Sequence, residues 1–243
     1  MKVGLQPHTL GTLDEPIERT LQRAVTARYE GIELSLGRAA DVEAHLEPSG
    51  LAVSSFASSP EAIEDELDAH VHARDTYGTD DVIIMYQPDE RFASLEAISE
   101  LAAELDALAN QLATEGMRLH YHNHDHEFIE IDGEPALYHL YRETERLHFE
   151  LDLGWAGAGG VDPADFLSSI GDRVTHIHLK DMQFDERAFI TVGEGDLDIE
   201  RAIETARDVG VEWILYENDA PLDPIAEISH ASIVLDPYTD HLC

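Results

Sequence analysis

Leu147-His148-Phe149-Glu150-Leu151-Asp152, a helical stretch around Pro163, and then Val174-Thr175-His176-Ile177-His178-Leu179 form one strand–helix–strand unit. Two apolar runs of strand length separated by a helix predict parallel strands joined by a crossover. The same rhythm extends in both directions. Upstream lie Lys2–Gln6, Gly31–Leu36, Leu51–Phe56, Asp81–Tyr86 and Met117–His122; downstream lies Val211–Glu217. Between them run amphipathic segments: one from Asp14 with Pro16 in its first turn, one from Pro60 to about Tyr77, one from Ser94 to about Thr114, and others near Pro135, Asp198 and Pro224. Proline is tolerated in a first helical turn. Gly31, Gly50, Gly78, Gly116 and Gly210 each stand at the start of a strand or just before one, where a helix is expected to end. Eight strands, each followed by a helix, predict an α/β fold of the (β/α)8 TIM barrel type. The chain's 243 residues match the usual size of about 250 for one such domain, so residues 1–243 are expected to form a single domain. An open doubly wound sheet is the other arrangement of such units. No Gly-x-Gly-x-x-Gly motif follows the first strand to support it.

The charge balance is extreme, with 51 acidic against 15 basic residues and a formal net charge of −36. Lysine occurs only at Lys2 and Lys180; the other basic residues are arginine. With 43% hydrophobic residues in periodic segments, the chain is not a disordered acidic polymer. Acid enrichment with so little lysine resembles proteins of salt-accumulating, halophilic organisms, whose surface charge needs screening. A surface of this sign disfavours nucleic acid as a partner. No apolar run approaches the roughly 20 residues of a bilayer span. The N-terminus is too polar before its first strand for a signal peptide, and the single cysteine, Cys243, excludes an intrachain disulfide. A cytoplasmic protein acting on a small molecule, free to form a homo-oligomer, is expected.

In a parallel barrel the active site forms where strands end and the following loops begin. Four consecutive strands bring His, Asp or Glu there: His120-Tyr121-His122-Asn123-His124-Asp125-His126-Glu127, Glu150-Leu151-Asp152-Leu153-Gly154-Trp155, His176-Ile177-His178-Leu179-Lys180-Asp181, and Tyr216-Glu217-Asn218-Asp219. Alternation along a strand places His120, His122 and His124 on one face, and His176, His178 and Lys180 on another. Imidazole mixed with carboxylate suits a divalent ion. An acidic chain scatters carboxylates widely, so Asp152 and Glu217 carry little weight singly. The clustered histidines have no such explanation.

Taken in order, Tyr121–Phe128, Asp152-Leu153-Gly154-Trp155, His176–Asp181, Val192-Gly193-Glu194-Gly195-Asp196-Leu197 and Tyr216-Glu217 resemble the xylose-isomerase-like family of sugar isomerases and epimerases. That family includes tagatose and psicose epimerases, hydroxypyruvate isomerase, inosose dehydratase and endonuclease IV. The resemblance implies one divalent metal ion (Mn, Co, Mg or Zn), held by a Glu, an Asp, a His and a Glu from strands five to eight. Asp152, His178 and Glu217 match the last three. Strand five departs from the pattern: His122 stands at the ligand position, and Glu127 is the nearest carboxylate. Glu127 is the preferred fourth ligand, with His122 the alternative.

The expected activity is a metal-dependent sugar or polyol isomerase or epimerase working through an enediolate formed α to a carbonyl. A dehydratase or lyase on the same site is the alternative. An endonuclease IV-like activity or a non-catalytic sugar-binding barrel ranks below both. Glu217, His122 and Lys180 are the expected catalytic residues. Lys180 either meets substrate oxygens or forms a buried ion pair. Substrate contacts are expected from His124, Trp155, His176 and His8; Glu33 is a further candidate that reads more readily as structural. His70 and His72 read as solvated helix residues. No basic cluster marks a phosphate site, so an unphosphorylated substrate is expected.

Overall fold

In the computed structural model, which describes residues 1–238, eight parallel strands close on themselves. They are β1 (Lys2–Leu5), β2 (Gly31–Ser35), β3 (Ala52–Ser58), β4 (Asp81–Ile84), β5 (Arg118–His122), β6 (His148–Asp152), β7 (Val174–Leu179) and β8 (Trp213–Tyr216). Each pairs with its neighbours in sequence, and β1 pairs with β8, Lys2 opposite Trp213 through Leu5 opposite Tyr216. The (β/α)8 barrel expected from the strand rhythm is therefore the fold, its eight-stranded sheet closed on itself. Cys243 lies outside the described residues.

Strand alternation sorts the side chains. Leu119 and Tyr121, Phe149 and Leu151, Ile177 and Leu179, and Ile214 and Tyr216 are fully buried in the core that the outer helices complete. The helix Leu95–Ala113 meets that core with Ile98, Leu101, Leu105, Leu108 and Leu112, a three-and-four spacing that places them on one stripe. Burial of each such side chain contributes about 1.5–3 kcal/mol. Ser94 starts this helix by accepting from the Ala97 N–H at 3.2 Å, satisfying one of the unpaired first-turn donors.

Local departures from the sequence expectation have local causes. The segment Pro60–Tyr77 is two helices, Pro60–Asp65 and Leu67–Tyr77, because Glu66 leaves the helical region at φ −128° and ψ 43°. Gly31 does not end a helix. The turn after Ile17–Thr26 is made by Arg28 at φ 68°, while Gly31 leaves room for Trp213, whose ring would lie 2.5 Å from a Cβ there. Two short antiparallel ribbons, Glu130–Ile131 with Glu134–Pro135 and Met182–Gln183 with Ala188–Phe189, rise from the loops after β5 and β7. Among the described residues, no helix is long and apolar enough to cross a membrane.

Candidate active site

Barrel interiors of this kind are usually filled by branched aliphatic side chains. Here the inward positions of β5, β6 and β7 are largely polar. The lower layer holds Asp81, His120 and His176, all buried. Asp81 Oδ1 and Oδ2 accept from Arg118 Nε at 2.8 Å and Nη2 at 2.9 Å, and His120 Nε2 lies 2.8 Å from Oδ1. Burial alone would raise the Asp81 carboxyl, but His120, His176 and Arg118 outweigh it and hold it below its ordinary range. His176 belongs to this layer. Its Nε2 lies 3.2 Å from the Ser54 carbonyl and its Nδ1 2.9 Å from Thr175 Oγ1. His176, expected to touch substrate, lies two residues below His178, one layer deeper, and is not among the side chains that line the cleft.

The next layer lies at the strand ends. Ligand atoms of His122, Asp152 and His178 fall within 4.8 Å of one another, and those of Glu33, Glu150 and His178 form a second, overlapping group. Asp152 is divided between two tasks. Its Oδ1 accepts from the Trp155 N–H at 2.9 Å, capping the helix Leu153–Ala158, which leaves Oδ2 facing the site. Asn123 holds Asp152 in place, accepting from its N–H at 2.9 Å and donating to its carbonyl at 3.2 Å. Gly154 allows this helix to close on β7, since a Cβ there would lie 2.5 Å from the Lys180 carbonyl.

Lys180 is 2% exposed, and its Nζ stands 3.1 Å from Asp152 Oδ2, 3.0 Å from Glu217 Oε2 and 3.0 Å from Asp219 Oδ2. Burial would lower the ammonium, yet the three carboxylates raise it well above its ordinary value. The ion-pair reading of Lys180 is thus what the geometry presents, with the ammonium also bordering the cleft. Glu217 Oε2 lies 2.9 Å from His178 Nδ1. Against the cost of burial, Lys180 and His178 hold the Glu217 carboxyl well below its usual range. His178 is held well above its usual value, its burial outweighed by Glu150, Glu217 and Glu33. Burial and the facing Glu33 push Glu150 up to about 8. Burial, with His178 and His124 nearby, keeps His122 well below its usual value; burial and Lys180 bring His124 down to about 4. Both rings are therefore neutral at neutral pH.

These residues fit a divalent cation. Five carboxylates, from Glu33, Glu150, Asp152, Glu217 and Asp219, gather in this layer, three of them against the one ammonium, and Asp152 Oδ2, ion-paired with Lys180, accepts no aligned hydrogen bond. The structure does not bring Glu127 to this group. Its Oε1 accepts from the Tyr121 hydroxyl at 2.7 Å and its Oε2 from the His124 N–H at 2.8 Å, so both oxygens are engaged in shaping the loop after β5. The β5 residue that meets Asp152 and His178 is His122.

Above the group opens a cleft of about 840 Å³ whose walls include His8, Tyr86, His124, Lys180 and Glu217. Trp155 packs its ring 5.8 Å from that of His124 and 5.2 Å from Lys180 Nζ, with Phe189 edge-on at 5.4 Å. Asp181 secures the loop beside it, accepting from the N–H groups of Met182, Gly193, Gly195 and Leu197. A Cβ at Gly195 would lie 2.2 Å from Asp181 Oδ1, which explains the glycine in that motif. His70, expected in solvent, is buried, with Nε2 2.8 Å from Ser58 Oγ and Nδ1 2.9 Å from the Glu66 carbonyl.

Sequence reasoning missed Glu150, Asp219 and Tyr86 as members of the site. A two-residue period from Asp152 and from Glu217 would have flagged the first two. Tyr86, 53% exposed and edge-on to His124, left no such signal.

A family model described as xylose isomerase-like TIM barrel matches residues 21–235. An inosose dehydratase of Geobacillus kaustophilus is 32% identical over 101 residues, which are 40% of this chain and 33% of that protein; the match spans well under half of that relative's length. A sugar phosphate isomerase/epimerase from Parabacteroides distasonis superposes with a TM-score of 0.81 at 19% identity, covering 98% of this chain and 95% of that one. A probable 3-DHS dehydratase from Bacillus anthracis does so with a TM-score of 0.79 at 15% identity, covering 97% and 99%. At these identities the two structures share the fold. With the family model spanning most of the barrel, the chain belongs to the xylose isomerase-like TIM barrel family.

Proposed function

We propose that this chain is a divalent-metal-dependent isomerase or epimerase of an unphosphorylated sugar or polyol-derived carbonyl compound. It would remove the proton α to the carbonyl to form an enediolate. The observation that carries the reading is the placement of Glu217 at the wall of the cleft, its Oε2 3.0 Å from Lys180 Nζ and 2.9 Å from His178 Nδ1. Asp152, His178 and Glu217, with His122 from β5, would hold the ion, and a bound divalent ion supplies charge that polarises a carbonyl and acidifies the neighbouring C–H. Glu217 takes the proton. The Lys180 ammonium, fixed by Asp219, stabilises the negative charge that develops on the substrate oxygen. His124, a neutral imidazole that also lines the cleft, would relay a proton from water to the enediolate, taking one at one nitrogen as it gives one up at the other; His8 and Tyr86 would bound the substrate, with Trp155 packed behind His124.

A second reading, dehydration of the same enediolate by loss of a β-hydroxyl, is favoured by one feature. Two-base epimerisation is served best by carboxylates on both faces. Here β5 turns Glu127 away toward Tyr121 and presents histidines instead. The test is incubation of the manganese-loaded protein with aldoses, ketoses and inososes in D₂O and molar KCl, followed by NMR. Deuterium at the α-carbon of an isomer or epimer supports the first reading. A dehydrated, deuterated product replaces it with the second. Turnover without exchange overturns both.

A further inference from the structure

Glu150 is fully buried at the centre of β6. Because β6 lies between β5 and β7 in the closed barrel, an inward side chain of β6 is the one that can reach across to both. Glu150 pairs in register with His122 on one side, and on the other Asp152 pairs with His178. One oxygen serves both contacts: Glu150 Oε2 lies 3.1 Å from His122 Nδ1 and 3.2 Å from His178 Nε2. The first is an aligned hydrogen bond, the second an electrostatic contact off the hydrogen-bond line.

The remaining nitrogens face the other way. His122 Nε2 is 3.9 Å from Asp152 Oδ2, and His178 Nδ1 is 2.9 Å from Glu217 Oε2. An imidazole without a partner on its rear nitrogen is free in ring angle and in tautomer. A carboxylate behind it settles both and makes the front nitrogen a stronger donor. Glu33 braces this arrangement from the far side, its Oε2 accepting from Ser55 Oγ at 2.7 Å and standing 3.7 Å from His178 Nε2.

Resting on the metal-site reading above, we infer that Glu150 is a positioning residue shared by two histidine ligands: one buried carboxylate behind His122 Nδ1 and His178 Nε2 turns His122 Nε2 and His178 Nδ1 toward Asp152 and Glu217. It also accounts for histidine on β5. An imidazole there needs an acceptor behind it, and Glu150 is that acceptor.

The experiment is Mn²⁺ binding by titration in molar KCl, with pulsed EPR of the bound ion to read its ¹⁴N imidazole couplings. It compares wild type, Glu150→Gln, Glu150→Leu, Asp152→Asn and, as a buried-histidine control away from the site, His70→Asn. Outer-shell partners of metal-bound histidine typically contribute about 10–100-fold in affinity. That loss is expected in Glu150→Leu. A smaller loss with altered ¹⁴N couplings is expected in Glu150→Gln, whose amide oxygen still accepts behind the rings but whose amide nitrogen can only donate. His70→Asn should keep the wild-type affinity and couplings. If Glu150→Leu does not fold, the near-isosteric Glu150→Gln decides through its couplings. Wild-type affinity and couplings in Glu150→Gln would overturn the inference while leaving the metal site standing. Complete loss equal to that of Asp152→Asn would overturn it in favour of direct ligation by Glu150. No Mn²⁺ binding by wild type would remove the metal-site reading and this inference together.

Discussion

Replacing Lys180 by glutamine removes the one ammonium that Asp152, Glu217 and Asp219 share at 3.0–3.1 Å in a pocket where its side chain is 2% exposed. Breaking a buried ion pair by deleting one partner costs about 3–5 kcal/mol, because the other charge stays behind without compensation. Three carboxylates remain here, so the upper end of that range applies at pH 8. Asp219, already pushed up to about 6 by burial and by Glu217, can take a proton, so the loss should shrink as pH falls toward 6. A divalent ion can replace the missing charge. At 100 times its dissociation constant a ligand of the folded state contributes about 2.7 kcal/mol, roughly half the loss. With no ammonium competing for Asp152 and Glu217, the ion should stabilise the variant more than the wild type. Urea unfolding of both proteins in molar KCl at pH 8, with and without Mn²⁺, measures each quantity. High salt suppresses surface repulsion but screens this buried cluster little. A variant within about 1 kcal/mol of wild type without the ion, set against the cost expected for a buried pair, would refute the ion-pair account. A smaller Mn²⁺ effect in the variant than in the wild type would refute the shared-site account.

Asp152→Asn and His178→Asn should each sharply lower bound Mn²⁺ measured by elemental analysis, whereas Glu127→Gln should keep it; an empty site in Glu127→Gln would return that residue to the ligand set. His176, brought down to about 4 by burial and by His120, should make the protein acid-labile. Between its unfolded value near 6.5 and about 4 the unfolded chain binds the extra proton, so stability is full above that window and falls through it, by up to about 3 kcal/mol for this group. The stability difference between His176→Asn and wild type, from urea unfolding at pH 7 and 4.5, should therefore move in the variant's favour by most of that amount; parallel pH profiles would contradict it. With a net charge of −36, the thermal midpoint should rise from dilute buffer to molar KCl as the Debye length falls to about 3 Å, and a flat or falling midpoint would count against salt adaptation.

The alternation of apolar runs and amphipathic segments was enough to specify the barrel, because strand period, helix period and chain length all pointed to one closed arrangement. It also placed His122, Asp152, His178, Lys180 and Glu217 at the ends of neighbouring strands, since a two-residue period assigns faces without reference to the rest of the fold. What it could not supply was depth, because faces repeat along a strand whereas layers are set by the stagger between strands. His176 and His178 share a face, yet one meets Asp81 in the lower layer and the other meets Glu217 at the site. Nor could it say where a loop turns its side chains. Glu127 is a carboxylate near the end of β5, but two nearby donors, the Tyr121 hydroxyl of the strand and the His124 N–H of the loop, claim both of its oxygens. Glu150 became legible when β6 was seen to lie between β5 and β7, for a carboxylate acquires two histidine partners through the pairing of strands that are distant in sequence.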